Sequence, residues 1–209
     1  MINEIRGDIY AALNRDPALK RSKISRFELF LYQGLHAIVL YRFAHFLWNL
    51  SIPFIPRLIS QLARFLTGIE IHPGAQIGKG CFIDHGSGVV IGETAIVGEN
   101  ALIYHQVTLG GTSLEATKRH PTIGNDVMIG AGAKLFGPIK VGNNCQIGGG
   151  TVLTKDIPDN SIVVGNPART IKCKGVKVID SVDTMNMPDP LKEYLEKLEK
   201  RVKEHESRK

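Results

Sequence analysis

The stretch Ile71-His72-Pro73-Gly74-Ala75-Gln76-Ile77-Gly78-Lys79-Gly80-Cys81-Phe82-Ile83 carries isoleucine at 71, 77 and 83, one aliphatic residue every six positions. The same period continues at Ile91, Val97, Ile103 and Leu109, then at Ile123, Ile129, Leu135, Val141, Ile147 and Leu153, giving thirteen hexads between Ile71 and about Pro158. Glycine follows the aliphatic residue in eight of them, at Gly78, Gly92, Gly98, Gly110, Gly124, Gly130, Gly142 and Gly148. Four places after it comes a small or β-branched residue, as at Ala75, Cys81, Ala95, Ala101, Ala133, Cys145 and Thr151, which suits a tight corner. A hexad is too short for a strand and a reversal unless each forms one flat side of a prism. The period therefore predicts a parallel β-solenoid with three hexads to a coil and the aliphatic residues pointing into the shaft. The plugs of so slim a prism do not by themselves offset the entropy of ordering its backbone. An oligomer is expected, most simply three prisms packed around a threefold axis.

The phase breaks twice. Eight residues separate Ile83 from Ile91, and fourteen separate Leu109 from Ile123. The first break holds Asp84-His85-Gly86-Ser87-Gly88, and the second runs from Gly110 through Arg119-His120-Pro121. Loops on a rigid scaffold are where function concentrates. Each of these carries a histidine beside a charged residue, so both are candidate site segments.

Composition sets bounds. The chain has 209 residues, 43% of them hydrophobic, and a formal net charge of +6. Its cations are spread among local acids, which argues against a nucleic-acid surface, while small anionic ligands such as coenzyme A suit a basic protein. Residues 1–16 mix Glu4, Arg6 and Asp8 into an amphipathic pattern with no signal-like apolar core. The most apolar stretch, Phe27 to Tyr41, holds Glu28, Gln33 and His36 and falls short of the ~20 residues needed to cross a bilayer. Three cysteines, Cys81, Cys145 and Cys173, argue against a disulfide framework and for a reducing, cytoplasmic setting. Cys81 and Cys145 occupy corner positions and read as packing.

Three regions are expected. Residues 1–68 read as an α-helical N-terminal domain, with Ile2, Ile5, Ile9 and Leu13 on one helical face and Asp16-Pro17 ending that helix. A second helix is predicted from about Ser25 to Asn49, and a third from about Pro53 to Phe65, capped by Gly68. Residues 69–175 form the β-helix, and residues 176–209 a tail whose Leu191, Leu195, Leu198, Val202 and His205 follow a short coiled-coil seam.

Several runs carry a resemblance: Arg15-Asp16-Pro17-Ala18, Gly34-Leu35-His36-Ala37, Tyr41-Arg42, Ile71-His72-Pro73, Asp84-His85-Gly86-Ser87-Gly88, Val107-Thr108-Leu109-Gly110-Gly111-Thr112, Arg119-His120-Pro121 and Gly165-Asn166-Pro167-Ala168. With the helical prefix they make the chain similar to bacterial serine O-acetyltransferases of the cysteine-synthesis type, in a form with a short N-terminal domain. The resemblance implies a left-handed coil, against the usual right-handed rule for parallel crossovers. It further implies acetyl transfer from acetyl-CoA to the hydroxyl of L-serine, with no metal. That chemistry needs a base, donors for an oxyanion and a clamp for the acceptor. His85 is the implied base, and Glu70, where the family commonly has aspartate, is the implied carboxylate behind its imidazole. Asp16 and Asp84 are implied to take the ammonium of serine, and Arg119 and His120 its carboxylate. Gly110, Gly111, Ala131 and Gly149 leave room for the cofactor's pantetheine arm, and an N–H near Gly111 is a candidate oxyanion donor. Each site is expected to be completed by a neighbouring subunit, in a homotrimer or a dimer of trimers. Cysteine, which shares the amino-acid head group, is expected as a feedback inhibitor. Many relatives dock to the next enzyme, the O-acetylserine sulfhydrylase, through a C-terminal isoleucine. This chain ends Glu206-Ser207-Arg208-Lys209, so no stable complex of that kind is expected.

Three other readings remain open at this point. An acetyltransferase for a sugar or for homoserine would share His85 without needing Asp16. A zinc carbonic anhydrase on the same prism would show a histidine pair five residues apart, and His72, His85, His105 and His120 offer none. A non-catalytic solenoid would tolerate loss of His85.

Overall fold

The computed structural model describes residues 1–21, 25–172, 195, 198–201 and 203–204. Each of the thirteen hexads becomes a short strand carrying its aliphatic residue. The first seven are β1 (Glu70–Ile71), β2 (Gln76–Ile77), β3 (Phe82–Ile83), β4 (Val90–Ile91), β5 (Ile96–Val97), β6 (Leu102–Ile103) and β7 (Thr108–Gly110). The next six are β8 (Thr122–Ile123), β9 (Met128–Ile129), β10 (Lys134–Phe136), β11 (Lys140–Val141), β12 (Gln146–Ile147) and β13 (Val152–Leu153). All thirteen plugs are 5% exposed or less. Successive strands fall on three sheets in rotation, which is what a three-sided prism requires. The first sheet has the order β1-β4-β7-β10-β13 and the second β2-β5-β8-β11. The third runs β3-β6-β9-β12 and ends in β14 (Ser161–Val164) and β15 (Arg169–Lys172). Pairing is parallel and plug sits over plug, as in Ile71, Ile91, Leu109, Leu135 and Leu153. Ile157, bridged to Val141, and Val163, paired with Ile147, add two further shaft residues. The antiparallel β14–β15 pair then ends the parallel ladder.

Small residues do turn the corners: Ala75, Cys81, Ala95, Ala101, Ala133, Cys145 and Thr151 are all buried. Burial pushes the Cys81 thiol up to about 12, which suppresses thiolate chemistry there.

The prefix is helical with one correction. α1 (Ile2–Arg15) is followed by a 3-10 turn at Ala18–Lys20. The single helix expected from Ser25 to Asn49 is instead a 3-10 segment, Ser25–Leu31, and then α2 (Gln33–Asn49). Tyr32 between them is extended, at φ −77 and ψ 110. Packing explains the restart. A Cβ at Gly34 would collide with the carbonyl oxygen of Ile83, so the first turn of α2 lies directly on β3, and the Tyr32 hydroxyl bonds the Asp16 carboxylate. α3 (Ile55–Thr67) ends at Gly68, which is left-handed at φ 70 and returns its N–H to Arg64 O at 2.8 Å.

A buried ion pair bolts this prefix to the prism. Arg42 of α2 meets Asp8 of α1 at 3.2 Å and donates to the backbone carbonyls of Ile77 and Gly78, while Asp8 Oδ1 accepts the Cys81 N–H at 3.0 Å. Tyr41 Oη donates to Ala75 O at 2.7 Å, and Ala37, Ile38 and Tyr41 join the shaft residues in one hydrophobic core. None of the described helices is long and apolar enough to cross a membrane. Cys173 and the tail seam residues Leu191, Val202 and His205 lie outside the described residues.

Candidate functional site

The two breaks in the period fall on two different corners of the prism, on either side of the first sheet. The Asp84–Val89 loop joins the third sheet to the first, and the Gly111–Pro121 loop joins the first to the second.

At the first corner, the backbone positions the base. His85 and Gly86 are both left-handed, at φ 58 and φ 61, and a Cβ at Gly86 would strike the side chain of Ile69. These two residues are the surplus over a plain hexad, and they leave the His85 ring standing off the prism with 77% of its side chain exposed. Asp84 Oδ1 lies 3.9 Å from His85 Nε2. Asp16, Leu31, Tyr32, Gln33, Gly34, Ile83, Asp84 and His85 enclose a cavity of 220 Å³. The prefix thus delivers Asp16 to the histidine loop. Burial pushes the Asp84 carboxyl up and Asp16 adds to the effect, against the pull of His85. Two carboxyls crowded on one cavity favour a cation between them.

At the second corner, a hydrogen-bond lock replaces the standing ring. The loop is exposed from Gly111 to Lys118, Arg119 is half-buried and His120 is buried. Thr94 Oγ1 accepts the backbone N–H groups of Arg119 and His120, each at 3.1 Å, and lies 2.9 Å from His120 Nδ1. The Thr94 N–H also points at that Nδ1, at 3.2 Å. With both lone pairs of Thr94 Oγ1 taken by the Arg119 and His120 N–H groups, its hydroxyl donates to Nδ1, which is therefore an acceptor and leaves the imidazole hydrogen on Nε2. Burial, then the charge of Arg119, pushes the His120 imidazole down, keeping it neutral and its Nε2–H available as a donor. Glycine makes the room, since a Cβ at Gly92 would collide with the His120 ring and one at Gly111 would lie 3.2 Å from His120 Nε2. Arg119 Nη2 holds Glu93 Oε2 at 2.6 Å, and Nη1 donates to Glu115 O at 3.1 Å. His72 stands on the same corner, its Nδ1 accepting the Gly74 N–H at 3.0 Å and its ring edge-on to Trp48. Burial and the nearby Arg57 push it down to about 4.

The residues expected to line a cofactor groove divide between the corners. Ala131 and Gly149 stack in register above His105 on the first corner, through Gly132 N to His105 O at 2.9 Å and Gly150 N to Ala131 O at 2.8 Å. Gly110 and Gly111 belong to the second corner, and Gly110 is also required by packing, because its Cβ would lie 2.7 Å from the Phe136 ring. Glu70 ion-pairs with Arg64 at 3.3 Å, and among the described residues no hydrogen bond joins it to His85.

Sequence reasoning passed over Tyr32, Glu93 and Thr94. Register would have found two of them: counted back from the plugs Val97 and Ile123, Glu93 and Thr94 stand at the same places as Arg119 and His120.

Residues 120–155 match the family model described as bacterial transferase hexapeptide (six repeats). A serine acetyltransferase of Bacillus subtilis is 48% identical over 201 residues, 96% of this chain and 91% of that protein. One from Synechococcus elongatus is 47% identical over 190 residues, 90% of this chain and 76% of that protein. Among solved structures, the Neisseria gonorrhoeae serine acetyltransferase in complex with serine aligns with a TM-score of 0.75 at 38% identity, over 80% of this chain and 68% of that one. The Brucella abortus serine acetyltransferase with coenzyme A aligns at 0.78 and 40% identity, over 83% and 68%. A serine acetyltransferase in complex with cysteine aligns at 0.83 and 35% identity, over 89% and 72%. With near half of its residues shared over nearly its whole length, this chain belongs to the serine acetyltransferase family of hexapeptide-repeat transferases.

Proposed function

We propose that the two corners are complementary halves of one active site, joined when the first corner of one protomer meets the second corner of the next around a threefold axis. A closed heterologous ring pairs opposite edges of a face in this way. The reaction is transfer of acetyl from acetyl-CoA to the hydroxyl of L-serine, giving O-acetylserine and CoA, the entry step from serine to cysteine. The observation that carries the reading is the convergence of Asp16, Asp84 and His85 on one cavity. The acids take the ammonium of serine, and across the seam the Arg119 fork and the His120 Nε2–H take its carboxylate. His85 removes the hydroxyl proton as oxygen attacks the thioester, then returns it to the departing thiolate. Asp84, 3.9 Å from the imidazole, acts on it by charge rather than by a hydrogen bond, and Glu70 is the candidate to orient the ring, in competition with its ion pair to Arg64. The pantetheine arm follows the trimmed edge past Ala131 and Gly149, with Gly110 and Gly111 facing it from the neighbour.

The same reading takes the coil as left-handed, residues 1–68 as a helical domain on a β-helix of residues 69–175, and the enzyme as cytoplasmic. Cysteine offers the same ammonium and carboxylate as serine and inhibits by occupying its clamp. Exposed Phe54, Leu58, Leu62, Phe65 and Leu66 along α3 support further self-association of trimers through the prefix.

Acetyl-CoA turnover with serine, homoserine and simple glycosides tests the acceptor, with serine the expected substrate. The shared site is tested by co-expressing His85→Ala and Arg119→Ala chains in equal amounts. About one site in four then draws an intact residue from each neighbour and regains activity. Absence of any recovery rejects the seam.

A further inference from the structure

We propose that Tyr32 is a positioning residue for the acceptor, whose hydroxyl holds the Asp16 carboxylate in the orientation that receives the ammonium of serine. The inference rests on the proposed reading of Asp16 as a seat for that ammonium. Tyr32 and Asp16 lie sixteen residues apart in the chain and line the same cavity as Asp84 and His85. Asp16 is the C-cap of α1, extended at φ −83 and ψ 116, and Tyr32 is the extended residue that precedes α2. Packing fixes the place of Tyr32, because the first turn of α2 lies directly on β3 at Gly34.

Three features make the contact more than a tie between helical segments. First, the two oxygens of Asp16 are pinned separately: Oδ1 accepts the Ala18 N–H at 2.7 Å, and Oδ2 accepts the Tyr32 hydroxyl. Each carboxylate oxygen takes about two hydrogen bonds, so a lone pair on each remains for an ammonium. Second, both donors are neutral, and among the described residues no lysine, arginine or histidine pairs with Asp16. Third, the Tyr32 ring packs against the cluster of Ala11, Ala12, Leu19 and Leu29, which holds the phenol independently of its hydroxyl. Burial, then the bond to Asp16 and the charges of Asp16 and Asp84, push that hydroxyl up, so it remains a donor.

A carboxylate left to turn about its Cβ–Cγ bond would have to be ordered when serine binds. Fixing it beforehand removes that cost from each encounter and aims the charge. The effect falls on binding of the acceptor, since Tyr32 takes no part in the bonds that form and break.

Three variants of the full-length chain test this by steady-state CoA release with serine and acetyl-CoA varied in turn: Tyr32→Phe, Asp16→Asn and the two combined. Tyr32→Phe keeps the ring and removes one hydrogen bond to a charged group. Serine KM is expected to rise about tenfold, with kcat and the acetyl-CoA KM within about threefold. Asp16→Asn is expected to raise serine KM at least as far. The double variant is expected to lie within about twofold of Asp16→Asn alone, because a residue that acts through Asp16 then has nothing left to position. A parent-like serine KM in Tyr32→Phe, a loss of kcat in its place, or losses that multiply in the double variant overturns the proposal. The comparison of the double variant with Asp16→Asn decides even where Tyr32→Phe loosens the prefix, since a purely structural effect would add to that of Asp16→Asn. A parent-like serine KM in Asp16→Asn would defeat the seat for the ammonium itself. A raised KM there beside an unaffected Tyr32→Phe would defeat this inference alone.

Discussion

The two corners beside the first sheet are built from the same repeat yet have opposite character. One gains two residues, turns left-handed at His85 and Gly86, and lifts an exposed imidazole over a cavity lined by two carboxyls. The other gains a long exposed loop, then anchors Arg119 and His120 to Thr94 and Glu93 of the coil below. The first corner is acidic and presents an imidazole that stands exposed. The second is cationic and presents a ring whose tautomer is fixed. In the proposed site a zwitterionic amino acid uses both, and because a whole sheet lies between the two corners of one prism, that proposal makes assembly part of the mechanism.

Substitutions at each corner should separate the two roles. His85→Ala is expected to cut kcat by about 10²–10⁴ while leaving the thermal midpoint close to that of the parent, as steady-state rates and melting curves will check. Asp8→Ala attacks the bolt that brings the prefix, and with it Asp16, to the first corner. Leaving Arg42 buried without its partner should cost about 3–5 kcal/mol, read from urea unfolding. Arg119→Lys keeps the charge at the second corner and loses the fork. Serine KM should rise about tenfold with kcat within threefold, and a kcat loss instead would show the two corners not to be divided into chemistry and clamp.

Acid should act on the corners in opposite senses, which is the smallest and sharpest comparison. His72 titrates at about 4 in the folded protein against an ordinary 6.5. Between those values the unfolded chain binds a proton that the folded one does not, so stability rises with pH and is lost on acidification through this window. His120 is lowered as well and has the same sign. Asp84 is raised, so just above its ordinary 3.8 the folded state binds the extra proton, and its contribution falls as pH rises. In melting curves across pH 4 to 6.5, His72→Asn is expected to flatten the acid loss and Asp84→Asn to deepen it. Parallel curves for all three proteins would refute the assignment.

The prism was legible because its signal is one-dimensional: a plug at every sixth residue has nowhere to go but a shaft, and all thirteen are buried. The breaks were legible for the same reason, since a lost phase marks a loop without reference to any partner. The interrupted second helix was not. Gly34 against Ile83 and Tyr32 against Asp16 are contacts across the fold, and the local pattern from Ser25 to Asn49 reads as continuous helix. Glu70 illustrates the converse, because the resemblance implied a carboxylate behind His85 and the side chain is ion-paired with Arg64 of the preceding helix.

By itself the sequence determined the three-sided coil, the residues that fill it and the two places where it opens, because periodicity and its loss are properties of the chain alone. Which corner each opening occupies, which imidazole stands free and which is locked were decided only by the tertiary structure. Those properties depend on what the neighbouring coil and the helical prefix place against each ring, and hydrogen bonds and burial are relations between residues far apart in the chain.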